Sequence, residues 1–127
     1  MVTPTAGSVV LVPFPFSDLS QSKRRPAVVL ADAERGDWIL CQVTSKSYAD
    51  ARAVELTDAD FEQGSLRLVS YARPAKLFTA HESLFVSEAG VLSVASLQRI
   101  TDEVVSVIQR SAELCSATNP RKIHLPP

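Results

Sequence analysis

Three cationic residues, Lys23, Arg24 and Arg25, stand together directly before an apolar run, and a hydroxyl pair, Thr44 and Ser45, closes a later one. These residue types handle phosphodiesters. A planar guanidinium presents several donors to phosphate oxygens, and nearby hydroxyls add more, an arrangement suited to stabilising a pentacoordinate phosphorus transition state. Pro26 restricts the backbone immediately after Arg25, so the guanidinium would leave the chain at the start of a rigid element. The simpler reading of the same residues is a solvated basic loop and a strand-end turn. Other chemistries lack their parts. There are two histidines, His81 and His124, and the second falls in a polar, proline-terminated tail, so a nuclease using two imidazoles as acid and base is not expected. No His, Asp, Glu or Cys cluster has metal-ligand spacing and no glycine-rich phosphate loop occurs, so neither a metal nor a cofactor is expected. His81, after Thr79-Ala80 and before Glu82, suits a surface or capping role.

These residues need elements to hold them. The chain has 127 residues, 46% hydrophobic and 21% charged, enough for one packed domain. Cys41 and Cys115 are too few for a disulfide framework or a zinc site, and Cys41 lies in an apolar run where a thiol packs as a small hydrophobe. No apolar run approaches membrane-spanning length and no signal peptide is evident at the N-terminus, so a cytoplasmic protein is expected. The net charge of −1 requires that any nucleic acid be held by a local basic groove rather than a global field.

Ser8–Phe14, Pro26–Ala31 and Trp38–Thr44 are rich in β-branched and apolar residues and read as strands, the last two joined as a hairpin through Glu34-Arg35-Gly36-Asp37. Ser17–Arg25 reads as an exposed loop. Arg52–Leu56 alternates with period two, and Thr57–Phe61 reads as a capped helical turn ended by Gly64. Leu66–Ala72 and Lys76–Thr79 are expected to be separate extended pieces divided by Pro74, and Ser83–Ser87 a short strand closed by Gly90. From Ser93 the period changes: Leu97, Ile100, Val104 and Ile108 form one face of a helix, with Arg99, Asp102, Glu103, Gln109 and Arg110 on the other. Trp38 suits the core or a dimer interface. The expectation is a small curled β-sheet or barrel with a C-terminal amphipathic helix, one domain over residues 1–116, and a disordered tail over 117–127.

The run Gly7-Ser-Val-Val-Leu-Val-Pro-Phe-Pro-Phe-Ser-Asp, followed by Lys23-Arg-Arg-Pro-Ala-Val-Val-Leu, resembles the opening of MazF/PemK-type toxins of bacterial type II toxin–antitoxin systems. The resemblance continues through Gln42-Val-Thr-Ser and Ser70-Tyr-Ala-Arg-Pro-Ala-Lys-Leu-Phe-Thr into the final helix, over roughly residues 7 to 110. It implies an SH3-like barrel with a helix against it, assembled as a two-fold homodimer. It also implies a metal-independent, sequence-selective endoribonuclease that cuts single-stranded RNA to a 2′,3′-cyclic phosphate and a 5′-hydroxyl. An acidic antitoxin would inhibit it, and operator DNA would be reached through that antitoxin.

Carried over residue by residue, Arg25 matches the family's arginine and Thr44 its threonine, with Ser45 beside it; these are the expected catalytic residues. Because a guanidinium stays protonated at ordinary pH, transition-state stabilisation is the favoured role for Arg25, proton transfer the lesser one, and Thr44 would hold the phosphate. Arg24, Ser70, Tyr71, Arg73 and Lys76 are the expected RNA-binding residues. Tyr71 offers a face for base stacking or fills the barrel wall, and Lys76 is a solvated lysine or a phosphate contact. Better-studied members carry an acidic residue in the segment matching Ser70-Tyr71-Ala72-Arg73, whereas no Asp or Glu lies between Gln63 and Ala80 here. A barrel of this kind that binds nucleic acid or a partner protein without cutting is the alternative.

Overall fold

The computed structural model describes residues 3–15, 22–47 and 50–118. Among these described residues seven strands form one antiparallel sheet: β1 (Ser8–Pro15), β2 (Ser22–Asp32), β3 (Asp37–Thr44), β4 (Val54–Leu56), β5 (Phe61–Gly64), β6 (Ser70–His81) and β7 (Ser87–Leu92). Their order is β4-β6-β3-β2-β1-β7-β5, and a single long helix, α1 (Val94–Thr118), follows. The sheet curls into a half-barrel, with α1 lying against β6 and β4.

The central strands read as continuous apolar runs because both of their faces are covered. Successive strand residues point to opposite sides. Val9, Val28 and Cys41 accordingly enter one core with Ile100 and Val104 of α1. Their neighbours Val10, Val29 and Leu40 enter a second core with Ala80 and Phe85, against which Trp38 packs. Trp38 also donates from Nε1 to Glu82 Oε2 at 3.0 Å, so the indole is both packed and satisfied. At the margin the pattern becomes simple alternation: in β4, Val54 and Leu56 are buried and Glu55 is exposed.

Several expectations are corrected. Pro74 does not divide the chain; it is buried inside the continuous strand β6. Between Cys41↔Leu77 and Val43↔Ala72 the register jumps, leaving residues 73–76 as a bulge opposite Gln42. A bulge needs no ladder hydrogen bond from its extra residues, so a proline fits there. The thiol of Cys41 donates to the carbonyl of Arg73 at 2.9 Å within this bulge.

Gly64 and Gly90 are not stops but a contact. They face each other across β5 and β7, and a Cβ on Gly64 would lie 2.1 Å from the carbonyl oxygen of Ala89, one on Gly90 2.3 Å from that of Gln63. Close backbone approach, not chain termination, requires glycine at both places. The segment expected as a strand at Ser83–Ser87 is a 3-10 turn, Glu82–Leu84, followed by β7. His81 caps that turn, its Nδ1 accepting from Ser83 N at 3.1 Å.

The helical turn at Asp58–Asp60 is present, and Asp60 bolts it to α1. Its carboxylate accepts from Thr57 N at 2.7 Å, from the buried Ser96 hydroxyl at 2.7 Å and from Arg99 at 2.7 Å. Burial alone would raise this acid, but the Thr57 and Ser96 hydrogen bonds and the Arg99 charge outweigh it and hold Asp60 below the usual aspartate range. Ile108, placed by periodicity on the buried face, is 58% exposed because α1 continues past the sheet. The helix includes Ala117 and Thr118, where a tail was expected to begin; residues 119–127, and with them His124, lie outside the described residues.

Candidate nucleic-acid interface

The segment read as a loop up to Arg25 is strand from Ser22 onward, while residues 17–21 lie outside the described residues. Pro26 is tolerated within β2, and the pairs Val12↔Arg25 and Pro13↔Arg24 seat both arginines on the ladder with β1. The register that sets Ala27 opposite Gln42 on β3 runs on toward Arg25 and Thr44. The arginines are therefore held by paired backbone rather than by a mobile loop, which limits the entropy lost when they grip a ligand.

A groove of about 460 Å³ opens where these strands end. Arg24, Arg25, Thr44, Ser45 and Ser70 line it together with the apolar residues Leu11, Pro26, Val43, Leu66 and Leu68. Neighbouring strand residues face opposite ways, so Arg24, level with Pro13, and Arg25, level with Val12, approach from the two faces of β2. Arg24 is exposed; Arg25 is half-buried, with its Nε withdrawn from solvent. Thr44 Oγ1 accepts from Lys46 N at 3.1 Å, which turns the chain after β3 and orients the hydroxyl. Ser70 is buried at the start of β6, and its hydroxyl donates to Leu68 O at 3.0 Å. Among the described residues no carboxylate, imidazole or thiol lines the groove, and two guanidinium groups stand there beside low-dielectric walls.

Five of the eight candidate residues thus meet in one place, and three do not. Tyr71 sits opposite Thr44 on one side and Glu55 of β4 on the other, half-buried in the row beside the groove. A carboxylate missing from residues 64–79 in the sequence is consequently present next to Tyr71 in space, supplied by β4. Arg73 lies in the bulge, with Nε 3.8 Å from Asp50 Oδ2. Lys76 is exposed at the far end of the same bulge. The groove's apolar wall was not legible: Leu66-Arg67-Leu68-Val69 looks like strand, yet Arg67 takes φ +67° and the segment turns instead. Cys41, beneath the site, is no nucleophile. Burial pushes its thiol up to about 12, only partly opposed by its hydrogen bond to Arg73.

Residues 5–108 match the family described as the PemK-like, MazF-like toxin of type II toxin–antitoxin systems. The chain belongs to this family. The MazF-like fold is shared with solved structures at low sequence identity. In a MazE–MazF complex from Deinococcus radiodurans, a chain 19% identical superposes with a TM-score of 0.70, covering 86% of this chain and 98% of that one. MazF from the same organism is 22% identical, with a TM-score of 0.65 and coverage of 86% and 99%. An endoribonuclease in complex with its cognate antitoxin, from a mycobacterial species, is 13% identical, with a TM-score of 0.65 and coverage of 86% and 96%. No curated protein matches the chain in sequence. Among the described residues of this MazF-like chain, no group of three or more His, Cys, Asp or Glu could hold a metal ion, and no helix is long and apolar enough to cross a membrane.

Proposed function

We propose that this MazF-like toxin is a metal-independent endoribonuclease acting on single-stranded RNA, with the groove at the ends of β2 and β3 as its active site. The observation that carries the reading is the lining: two guanidinium groups and three hydroxyls, with no acidic side chain among its described residues. In this reading the ribose 2′-oxygen attacks the adjacent phosphorus. The P–O2′ bond forms as the P–O5′ bond breaks, leaving a 2′,3′-cyclic phosphate and a 5′-oxygen, which gains in net the proton the 2′-hydroxyl gave up. Arg25, rigidly held and half-buried, donates to the non-bridging oxygens as charge accumulates on them, and the Thr44 and Ser45 hydroxyls hold the phosphate. One such preorganised donor is worth about 10²–10³-fold in rate. Arg24 and Ser70 grip the flanking backbone, while Tyr71, Arg73 and Lys76 lie beyond the groove's lining, where a longer RNA would reach them.

A nuclease of this kind is restrained by a partner. Similar MazF chains are solved in complex with MazE, and an acidic antitoxin segment across Arg24, Arg25 and Arg73 would occupy the charges RNA needs. We place the activity in the cytoplasm, on a homodimer, with operator DNA contacted through the antitoxin. The deciding experiment is incubation of purified protein with a long RNA in EDTA and mapping of the ends. Cuts ending in cyclic phosphate are expected; intact RNA bound without cleavage would instead favour the non-catalytic barrel, for which the net charge of −1 is the relevant observation.

A further inference from the structure

Leu68 and Val69 are large apolar residues left 68% and 49% exposed, yet the segment carrying them is pinned at both ends. Ser65 Oγ accepts from Arg67 N at 2.8 Å and donates to the carboxylate of Asp58, while the Ser70 hydroxyl holds Leu68 O. An apolar display fixed in this way is a recognition feature rather than a loose loop. Leu68 also forms a divide. On one side it borders the arginine groove; on the other it borders a recess of about 300 Å³ lined by Thr57, Asp58, Ala59, Arg67, Leu68 and Val69.

We propose that this recess is a base-reading subsite for the nucleotide next to the scissile phosphate. The inference rests on the endoribonuclease reading and adds to it the source of sequence selectivity. Single-stranded RNA is read through unstacked bases, laid against apolar side chains and hydrogen-bonded along their edges. The recess has these parts: Leu68 and Val69 for a base face, the Asp58 carboxylate as acceptor and the Arg67 guanidinium as donor for its edge. Charge complementarity settles the occupant, because the adjoining groove takes the phosphate on Arg24 and Arg25 and a strand leaving it across Leu68 brings a base, not a second phosphate, against Asp58. Asp58 reaches the site only through the fold, from the turn before β5.

The test uses the full chain and a randomised RNA pool, sequenced after cleavage in EDTA. Asp58→Asn keeps an acceptor for Ser65, Arg67→Asn tolerates the left-handed backbone, and Leu68→Ser removes the divide. Wild type is expected to prefer one base at a position flanking the cut. Each of the three variants should reduce that preference about 5- to 100-fold at that position, the discrimination of one good side-chain–base pair. Arg24→Ala should instead slow all sequences alike. An unchanged profile in all three variants overturns the subsite while leaving the nuclease reading intact, and so does uniform slowing in all three. Wild type that cuts no RNA overturns the nuclease reading, and the subsite with it.

Discussion

Asp60 offers the sharpest test of how the half-barrel is held to its helix. Asp60→Ala removes acceptors for the Thr57 backbone N–H, the Ser96 hydroxyl and Arg99 at once. The three losses are unequal. Arg99 has a side chain 53% exposed and returns to water, so its ion pair is worth under about 1 kcal/mol. Ser96 is 4% exposed and would keep only the hydrogen bond it accepts from Ser93, leaving its own proton without an acceptor at a cost of about 1–2 kcal/mol. The Thr57 N–H loses a charge-assisted bond of about 1–2 kcal/mol. Together these give a destabilisation of about 2–5 kcal/mol, or roughly 7–20 °C in Tm for a domain of this size. Asp60→Asn should recover only part, because its amide N–H₂ must face either Thr57 N–H or the Ser96 and Arg99 donors.

The linkage has a definite sign. The folded pKa of Asp60 lies below its unfolded value, so its contribution is fully present above the ordinary aspartate pKa of about 3.9 and is lost as pH falls from there through the folded value. Urea unfolding of wild type and variant from pH 2.5 to 7 should therefore show curves that converge at the acid end. A variant within 0.5 kcal/mol of wild type at pH 7, or a gap unchanged down to about pH 2.5, would refute the reasoning.

Arg25→Ala and Thr44→Ala should each lower RNA cleavage, the former by about 10²–10³-fold, with urea midpoints close to wild type; either one cutting at the wild-type rate removes that residue from the active site. Cys41, with its thiol at about 12, should be ~10⁻⁴ thiolate at pH 8 and alkylate only on unfolding, while the half-buried Cys115 reacts in the native protein; native labelling of Cys41 would show that the bulge opens. Sedimentation at low micromolar concentration should return a homodimer, since β4 and β5 leave two sheet edges and α1 leaves Val105 and Ile108 exposed; a clean monomer argues against it. An acidic antitoxin segment and RNA should displace one another, with the antitoxin's hold weakening as salt rises; simultaneous binding with undiminished cleavage would exclude a shared groove.

How legible all this was depended on the range of the interactions concerned. Local pattern was enough for β1, the core of β2, β3, the alternation of β4 and the helix from Ser93, because each is a strong periodic or β-branched run whose burial is repeated residue after residue. Motif order was enough to name the family and to point to five residues that line one groove: Arg24, Arg25, Thr44 and Ser45 at the ends of those legible strands, and Ser70 at the start of β6. Where the sequence misled, a long-range partner had overruled a local signal. Pro74 says break, but the bulge opposite Gln42 relieves it of a ladder bond. Gly64 and Gly90 say stop, but each is required by the other's backbone. Ile108 keeps the helical period of a buried face after the sheet beneath it has ended. The second recess is of the same kind: Asp58 and Arg67 are ordinary surface charges in the chain, and only the pairing of β5 with β7 and the left-handed turn at Arg67 bring them to one cavity beside the arginine groove. Residue type determined what chemistry the chain could perform, and the curling of the sheet decided which of those residues share a surface, because contacts between distant segments carry no periodic trace in the sequence that makes them.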